Sequence, residues 1–230
     1  MRAMILAAGL GTRLRPLTLK IPKPLIEIAG KSLIEYQIEN LVNAGIKELV
    51  INTAWLGDQL ENRLGSGARW DITIHYSPEQ EPLETAGGIR QALELLATVD
   101  DEPFLVVNGD LFVDGSYSAL DLKLPAHISA RLWLVENPNW HPHGDFTLGA
   151  IGLLSAEGEP KYTFSGVSLM RPSIFRDLFE GEKAPLAPIL RAEIAKHRVE
   201  GRMLEGYWND VGTHERLAAV KEFVNKGRAC

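Results

Sequence analysis

The chain has 230 residues, 45% of them hydrophobic, and a formal net charge of −6. Such a length and apolar content suffice for a full α/β core, most simply in one domain. The acidic balance argues against a general nucleic-acid or membrane-surface binder. A single cysteine, Cys230, rules out an intramolecular disulfide and a cysteine metal cluster, and it reads as a tail residue. No apolar run approaches membrane-spanning length. The N-terminal apolar stretch is short and enters a glycine loop, so it reads as a strand rather than a signal peptide, and a cytoplasmic protein is expected.

The first strand spans about residues 2–7 and runs into Ala8-Gly9-Leu10-Gly11-Thr12-Arg13, with Lys23 following within a dozen residues. Glycines let backbone N–H groups approach a phosphate, and Arg13 and Lys23 add positive charge. Two better-known phosphate loops are excluded. Leu14 stands where a dinucleotide fingerprint needs its third glycine, and Leu25 stands where a P-loop ending at Gly30-Lys31-Ser32 needs its first. Ser32 reads instead as the N-cap of a helix over 32–44, with Glu35 completing a capping box and Gly45 ending it.

A strand follows over 48–52, a short helix over 58–64, a strand over 72–76 and a helix from about 85 to 96. The buried strand 104–108 ends at Gly109-Asp110. In the second half, 129–136 and 167–170 read as strands, joined by a loop-rich stretch around 137–144. Helices are expected over 172–179, 188–197 and 213–226. Strands alternating with helices through the first half imply a mostly parallel sheet with helices on both faces. There is no internal repeat or linker, and the chain is expected to end on its last helix without a second activity.

Ligands of open α/β sheets bind beyond the carboxyl ends of the strands, where Asp110 is expected. A carboxylate there suits Mg²⁺, which keeps water and phosphate oxygens among its ligands. Asp210 is the best second carboxylate, expected in a turn before a helix that Thr213 can cap. Asp114 is a rival in a solvated loop. Asp71 and Asp121 read as solvated charge, and His75 as a structural strand residue. His141 and His143 lack further zinc ligands and read as loop residues.

The motifs from Leu6 to Thr18, Pro22-Lys23-Pro24-Leu25, Pro82 to Gly88, Asn108-Gly109-Asp110 and Trp208 to Gly212 come in one order along nearly the whole chain. In them the chain resembles the sugar-1-phosphate nucleotidylyltransferases. Further segments (52–57, 75–79, 142–146 and 162–166) resemble members that use UTP and N-acetyl-α-muramate 1-phosphate in peptidoglycan recycling.

The resemblance implies a Rossmann-like three-layer αβα sandwich with a mostly parallel, mixed sheet. It would form one domain with a nucleotide half over about 1–115 and a sugar half over about 116–230. Arg13 and Lys23 would be catalytic. Ala8, Gly9, Gly11, Thr12, Arg13 and Lys23 would hold the phosphates, while Glu79, Thr85, Ala86, Gly87 and Asn108 would face the nucleoside. Asn108, Gly144, Asp145, Thr163 and Ser165 would line the sugar pocket, and Asp110 and Asp210 would hold Mg²⁺. The partners implied are UTP and a sugar 1-phosphate, with no nucleic acid and no membrane, and a monomer is expected.

Many uridylyl- and thymidylyl-transferring relatives carry glutamine and Leu-Gly-Thr in the base-reading segment, where this chain has Glu79 and Leu83-Glu84-Thr85. Guanylyl or other nucleotidylyl transfer to mannose, heptose or glucose 1-phosphate is therefore the first alternative. A non-catalytic nucleotide-sensing subunit is the second. Such a subunit would be expected to lose Arg13, Lys23 or an aspartate, and all are present.

Overall fold

The computed structural model describes residues 1–97, 101–115 and 117–227; Cys230 lies outside them. In chain order the elements begin with β1 (Ala3–Leu6), β2 (Glu27–Ile28), β3 (Lys31–Ser32), α1 (Leu33–Asn43), β4 (Glu48–Thr53) and α2 (Gly57–Leu64). Next come β5 (Thr73–Pro78), α3 (Glu84–Gln91), α4 (Leu93–Leu96), β6 (Phe104–Asn108) and β7 (Leu111–Asp114). They close with β8 (Ala130–Val135), β9 (Phe146–Leu148), β10 (Leu154–Ser155), β11 (Lys161–Met170), α5 (Leu186–Ala195), β12 (Val199–Met203), β13 (Tyr207–Asp210) and α6 (His214–Gly227).

The chain folds as two compact units that interleave in sequence. Of the described residues, the first takes those within 2–82, 107–120 and 206–227; the second takes those within 83–106 and 121–205, with Met1.

In the first unit β1, β4 and β5 run parallel, with β4 between the other two. Their register sets Leu6 beside Asn52 and Asn52 beside Ser77, so three carboxyl ends finish level. All of Ala3, Met4, Ile5, Leu49, Val50 and Ile51 are fully buried, as expected of near-continuous apolar strands in a parallel sheet. Helix α1 begins as the sequence predicts: the Ser32 N–H donates to Glu35 Oε2 at 2.9 Å, completing the capping box. Its buried face carries Leu33, Ile34, Ile38 and Leu41.

Burial alone would push the Glu35 carboxyl up, but the hydrogen bonds from Ser32 and the charges of Arg63 and Arg69 outweigh it and hold it below its ordinary value. A depressed carboxyl pKa stabilises the fold above the unfolded-state value, and that stability is lost as pH falls through the folded-state value. Stability should therefore decline in acid below about pH 4.5, the ordinary value. Glu35→Gln should flatten that part of the decline in urea titrations run between pH 3 and 6; an unchanged slope would remove Glu35 as its source.

In the second unit β8 pairs antiparallel with β11 and parallel with β12, and β9 joins β11 on one side and β10 on the other. The parallel trio of one unit and these antiparallel pairings of the other make the strand arrangement mixed. Strand β11 starts six residues before the expected 167. It crosses an irregularity between Phe164 and Ser168, where Gly166 sits at φ 81°. A glycine inside a strand reads as an interruption in sequence, and here it marks a bulge.

The helix expected over 172–179 is only a single 3₁₀ turn, Pro172–Phe175. The Ser173 N–H is taken by the Asp101 carboxylate at 2.7 Å, and Phe179 is 78% exposed, so no apolar face rewards a longer helix. The helix expected over 85–96 is two, α3 and α4, turning at Ala92.

Candidate nucleotidyl-transfer site

The site is assembled in the first unit around one apolar cluster. Leu14, Ile26, Ile28, Leu33, Phe112, Val211, Leu217 and Val220 are packed together and buried. Each motif contributes one of these residues next to its chemistry: Leu14 follows Arg13, Ile26 comes three after Lys23, Phe112 two after Asp110, and Val211 directly after Asp210. Burial of the apolar residue thus fixes where its polar neighbour emerges.

The glycine loop turns at Gly11, whose φ of 60° is left-handed and favours glycine. A Cβ at Gly11 would fall 2.8 Å from Thr18 Cγ2 and 3.3 Å from Lys23 Cβ. Its absence lets the segment carrying Lys23 lie against the loop, and the Thr18 hydroxyl fastens it by donating to the Gly11 carbonyl at 2.8 Å. Arg13 is exposed and carries no ion pair among the described residues.

Gly109 crosses the end of β1. Its N–H donates to the Leu6 carbonyl at 2.9 Å, and a Cβ there would meet that same oxygen. The chain then enters β7, which pairs antiparallel with β13 in a ribbon. The register puts Asp210 opposite Leu111, and the Val211 N–H donates to the Asp110 carbonyl at 3.0 Å. The two aspartates therefore stand at one end of the ribbon. Asp210 is the last residue of a strand, which corrects its expected placement in a turn. Asp114 lies at the opposite end of β7, exposed and away from this pair.

Helix α1 holds the ribbon from its other side. Gln37 Nε2 donates to the Leu111 carbonyl at 2.8 Å, and Asn40 Nδ2 to the Val113 carbonyl at 3.2 Å. Gln37 is itself fixed by the buried Tyr117 hydroxyl at 2.6 Å.

Each aspartate is ion-paired. Lys23 Nζ binds Asp110 Oδ2, and Arg216 Nη1 binds Asp210 Oδ1. The cations are nearly buried, with side-chain exposures of 10% and 8%, while the carboxylates stand about a third exposed. Two hard-oxygen donors open to solvent, each with one oxygen engaged by a cation, fit Mg²⁺ if water and phosphate oxygens supply its other ligands. Among the described residues no group of three or more His, Cys, Asp or Glu stands together to hold a metal.

Beside this centre, Asn52 links three strand ends. Its Oδ1 accepts the Ala7 N–H at 2.7 Å and its Nδ2 donates to Glu79 Oε1 at 2.6 Å. All three residues are buried. Asn52→Ala should destabilise the fold by about 1–3 kcal/mol, the cost of stranding buried polar groups. Denaturant unfolding checks it, and a loss within 0.5 kcal/mol, roughly the noise of a surface change, would contradict it.

The pattern match decides the family. Residues 2–131 match the family model described as nucleotidyl transferase. The chain belongs to the nucleotidyl transferase family. It is 51% identical to the N-acetylmuramate α-1-phosphate uridylyltransferase of Neisseria meningitidis, over 94% of this chain and 95% of that one. It is 36% identical to the protein of the same name from Caulobacter vibrioides, over 94% of each. It is also 32% identical to the mannose-1-phosphate guanyltransferase of Hypocrea jecorina, but spans only 61% of that relative's length.

A solved Bacillus anthracis structure, assigned as a glucose-1-phosphate thymidylyltransferase and holding sucrose, superposes with a TM-score of 0.81 at 19% identity. The likeness covers 97% of this chain and 95% of that one, and it bears out the Rossmann-like αβα fold with its mixed, mostly parallel sheet. Among the described residues of this nucleotidyl transferase, no helix is long and apolar enough to cross a membrane.

The remaining expected residues of the nucleotidyl transferase lie as follows. Arg13, Lys23, Asp110 and Asp210 come to the cluster described above, and Asn108 ends β6 directly before Gly109. Thr85, Ala86 and Gly87 belong to the first turns of α3 in the second unit. There the Ala86 and Gly87 N–H groups both donate to the Ala184 carbonyl, at 3.0 and 3.1 Å. A side chain at Gly87 would collide with the Glu182 carbonyl, so this glycine serves the close approach of that segment.

Gly144, Asp145, Thr163 and Ser165 gather in the second unit as one braced corner. His141 Nε2 and the Phe164 N–H engage the two oxygens of Asp145, at 3.1 and 2.8 Å. Thr163 donates to Asn137 Oδ1, and Ser165 Oγ accepts from the Val167 N–H. Both hydroxyls are buried. The Gly144 and Asp145 N–H groups are also used, on His141 and Tyr162 carbonyls.

Gln37, Asn40, Asn52 and Arg216 escaped the sequence reading as site residues. Two of them had a visible signal: Arg216, a basic residue in the first turn of a helix against the macrodipole, and Asn52, a polar residue at the carboxyl end of an expected strand.

Proposed function

We propose that this nucleotidyl transferase moves a uridylyl group from UTP to N-acetyl-α-muramate 1-phosphate, giving UDP-N-acetylmuramate and pyrophosphate. The grouping of Arg13, Lys23, Asp110 and Asp210 on one core carries the chemistry. The 51% identity to the Neisseria uridylyltransferase, over 95% of that chain, supports the choice of substrates.

A phosphate oxygen of the sugar 1-phosphate attacks the α-phosphorus of UTP. A new P–O bond forms as the bond from the α-phosphorus to the β-phosphate bridging oxygen breaks, and pyrophosphate leaves with that electron pair. The nucleophile is already an anion at neutral pH, so no general base is needed. The barrier lies in bringing two anions together, and positioning with charge neutralisation lowers it. Lys23 exchanges Asp110 for the α-phosphate and the incoming sugar phosphate. Arg13, with the backbone from Ala8 to Thr12, holds the departing pyrophosphate. Mg²⁺, when held by Asp110 and Asp210, would supply further neutralisation of the phosphate oxygens.

Glu79, Thr85, Ala86, Gly87 and Asn108 form the nucleoside side in this proposal. Gly144, Asp145, Thr163 and Ser165 act on the sugar through the shape of the corner they brace, with the Gly144 and Asp145 N–H groups and the Thr163 hydroxyl already donating to neighbours. A place in peptidoglycan recycling, a cytoplasmic location and a monomeric state belong to the same proposal.

Product analysis tests the transfer. Mass spectrometry should find one UDP-N-acetylmuramate for each pyrophosphate released. UMP or UDP appearing with unchanged sugar phosphate would identify a hydrolase and overturn it.

A further inference from the structure

Arg216 sits in the first turn of α6 with its side chain 8% exposed. Nothing about the helix asks for it: a cation near a helix N-terminus opposes the macrodipole, and a buried guanidinium needs an anionic partner. Its Nη1 meets that need at Asp210 Oδ1. Its backbone N–H donates to the Thr213 hydroxyl at 3.3 Å, so the predicted Thr213 cap also sets where the arginine departs from the helix.

Gly212 makes the room. A Cβ there would fall 2.9 Å from Arg216 Cζ and overlap Nη2. The same point lies 3.3 Å from Arg13 Nη2, so the two guanidinium groups flank one glycine. Asp210, with its side chain 32% exposed, is thus held through one oxygen by a buried cation while the carboxylate stays open to solvent.

We infer that Arg216 is a positioning residue, which fixes the Asp210 carboxylate in the orientation that accepts the divalent cation. Gly212 is required to seat it. The inference rests on the proposed reading of Asp110 and Asp210 as metal ligands. Arg216 does not touch substrate; it acts through Asp210, and loss of such a support typically weakens metal affinity 10–100-fold.

The test is Mn²⁺ binding, followed by water-proton relaxation at saturating α,β-methylene-UTP, with helix content checked by circular dichroism. Arg216→Met should weaken Mn²⁺ binding at least about tenfold, and Arg216→Lys, which keeps the charge, should recover part of the loss. Gly212→Ala, which pushes the guanidinium out without removing it, should weaken binding in the same direction and serves if Arg216→Met does not fold. If Asp210→Asn loses Mn²⁺ while Arg216→Met and Gly212→Ala bind it as tightly as the wild type or more so, the inference is overturned and the metal reading stands. If Asp110→Asn and Asp210→Asn both bind Mn²⁺ like the wild type, the metal reading itself fails.

Discussion

Alanine in place of Lys23 is expected to lower turnover by about 10²–10³-fold, the loss typical of removing one electrostatic stabiliser of a transition state. In the proposed reaction a sugar phosphate comes against the α-phosphate of a nucleotide, and Lys23, nearly buried beside Asp110, would be the cation at that junction. Its ammonium is held beside Asp110 by their ion pair and would exchange that carboxylate for phosphate oxygens as the substrates bind. The Asp110 carboxylate left behind is 30% exposed and can be hydrated, so the variant should stay folded. The loss should appear in kcat more than in KM, because the charge acts on the reacting phosphates. Wild-type turnover by a folded Lys23→Ala enzyme would contradict the assignment.

Asparagine at Asp110 should cost a comparable factor, of order 10²–10³ in rate, and should also raise the Mg²⁺ concentration needed for half-maximal activity. The amide keeps an acceptor for Lys23 and nearly the same shape, so the effect isolates the lost charge. An activation midpoint unchanged from the wild type would remove Asp110 from the metal. Because Lys23 and Asp110 contact each other, the double variant should lose less than the product of the two single losses. Steady-state rates over a Mg²⁺ titration give all three quantities.

Much of this architecture is legible in the chain because it is written locally. The buried first strand, the turn at Gly11, the Ser32–Glu35 capping box and the Thr213 cap each depend on residues within a few positions of one another. Ligand chemistry at strand ends follows from the order of elements. What escapes is the pairing of distant segments. Strands β7 and β13 are four residues each and almost a hundred apart, yet their register alone brings Asp110 and Asp210 to one end of a ribbon.

The roles of Gln37 and Asn40 are hidden for the same reason. A glutamine and an asparagine on a helix read as solvated face until the carbonyls of Leu111 and Val113 stand opposite them. Gly87 shows the converse. A motif glycine suggests close approach to a nucleotide, and the fold adds a second reason for it, the close approach of the Glu182–Ala184 backbone. Asp145, Thr163 and Ser165 look like free polar groups in sequence, whereas packing turns each of them onto a neighbour.

The central claim, uridylyl transfer to a muramate-type sugar phosphate, is tested most directly by pyrophosphate release with Mg²⁺. The assay crosses the four nucleoside triphosphates with the α-1-phosphates of N-acetylmuramate, N-acetylglucosamine, glucose and mannose. Turnover concentrated on UTP with N-acetylmuramate 1-phosphate is the predicted result. Turnover concentrated on GTP with mannose 1-phosphate would contradict it and keep only the chemistry, while a folded protein silent across the grid would contradict the chemistry as well.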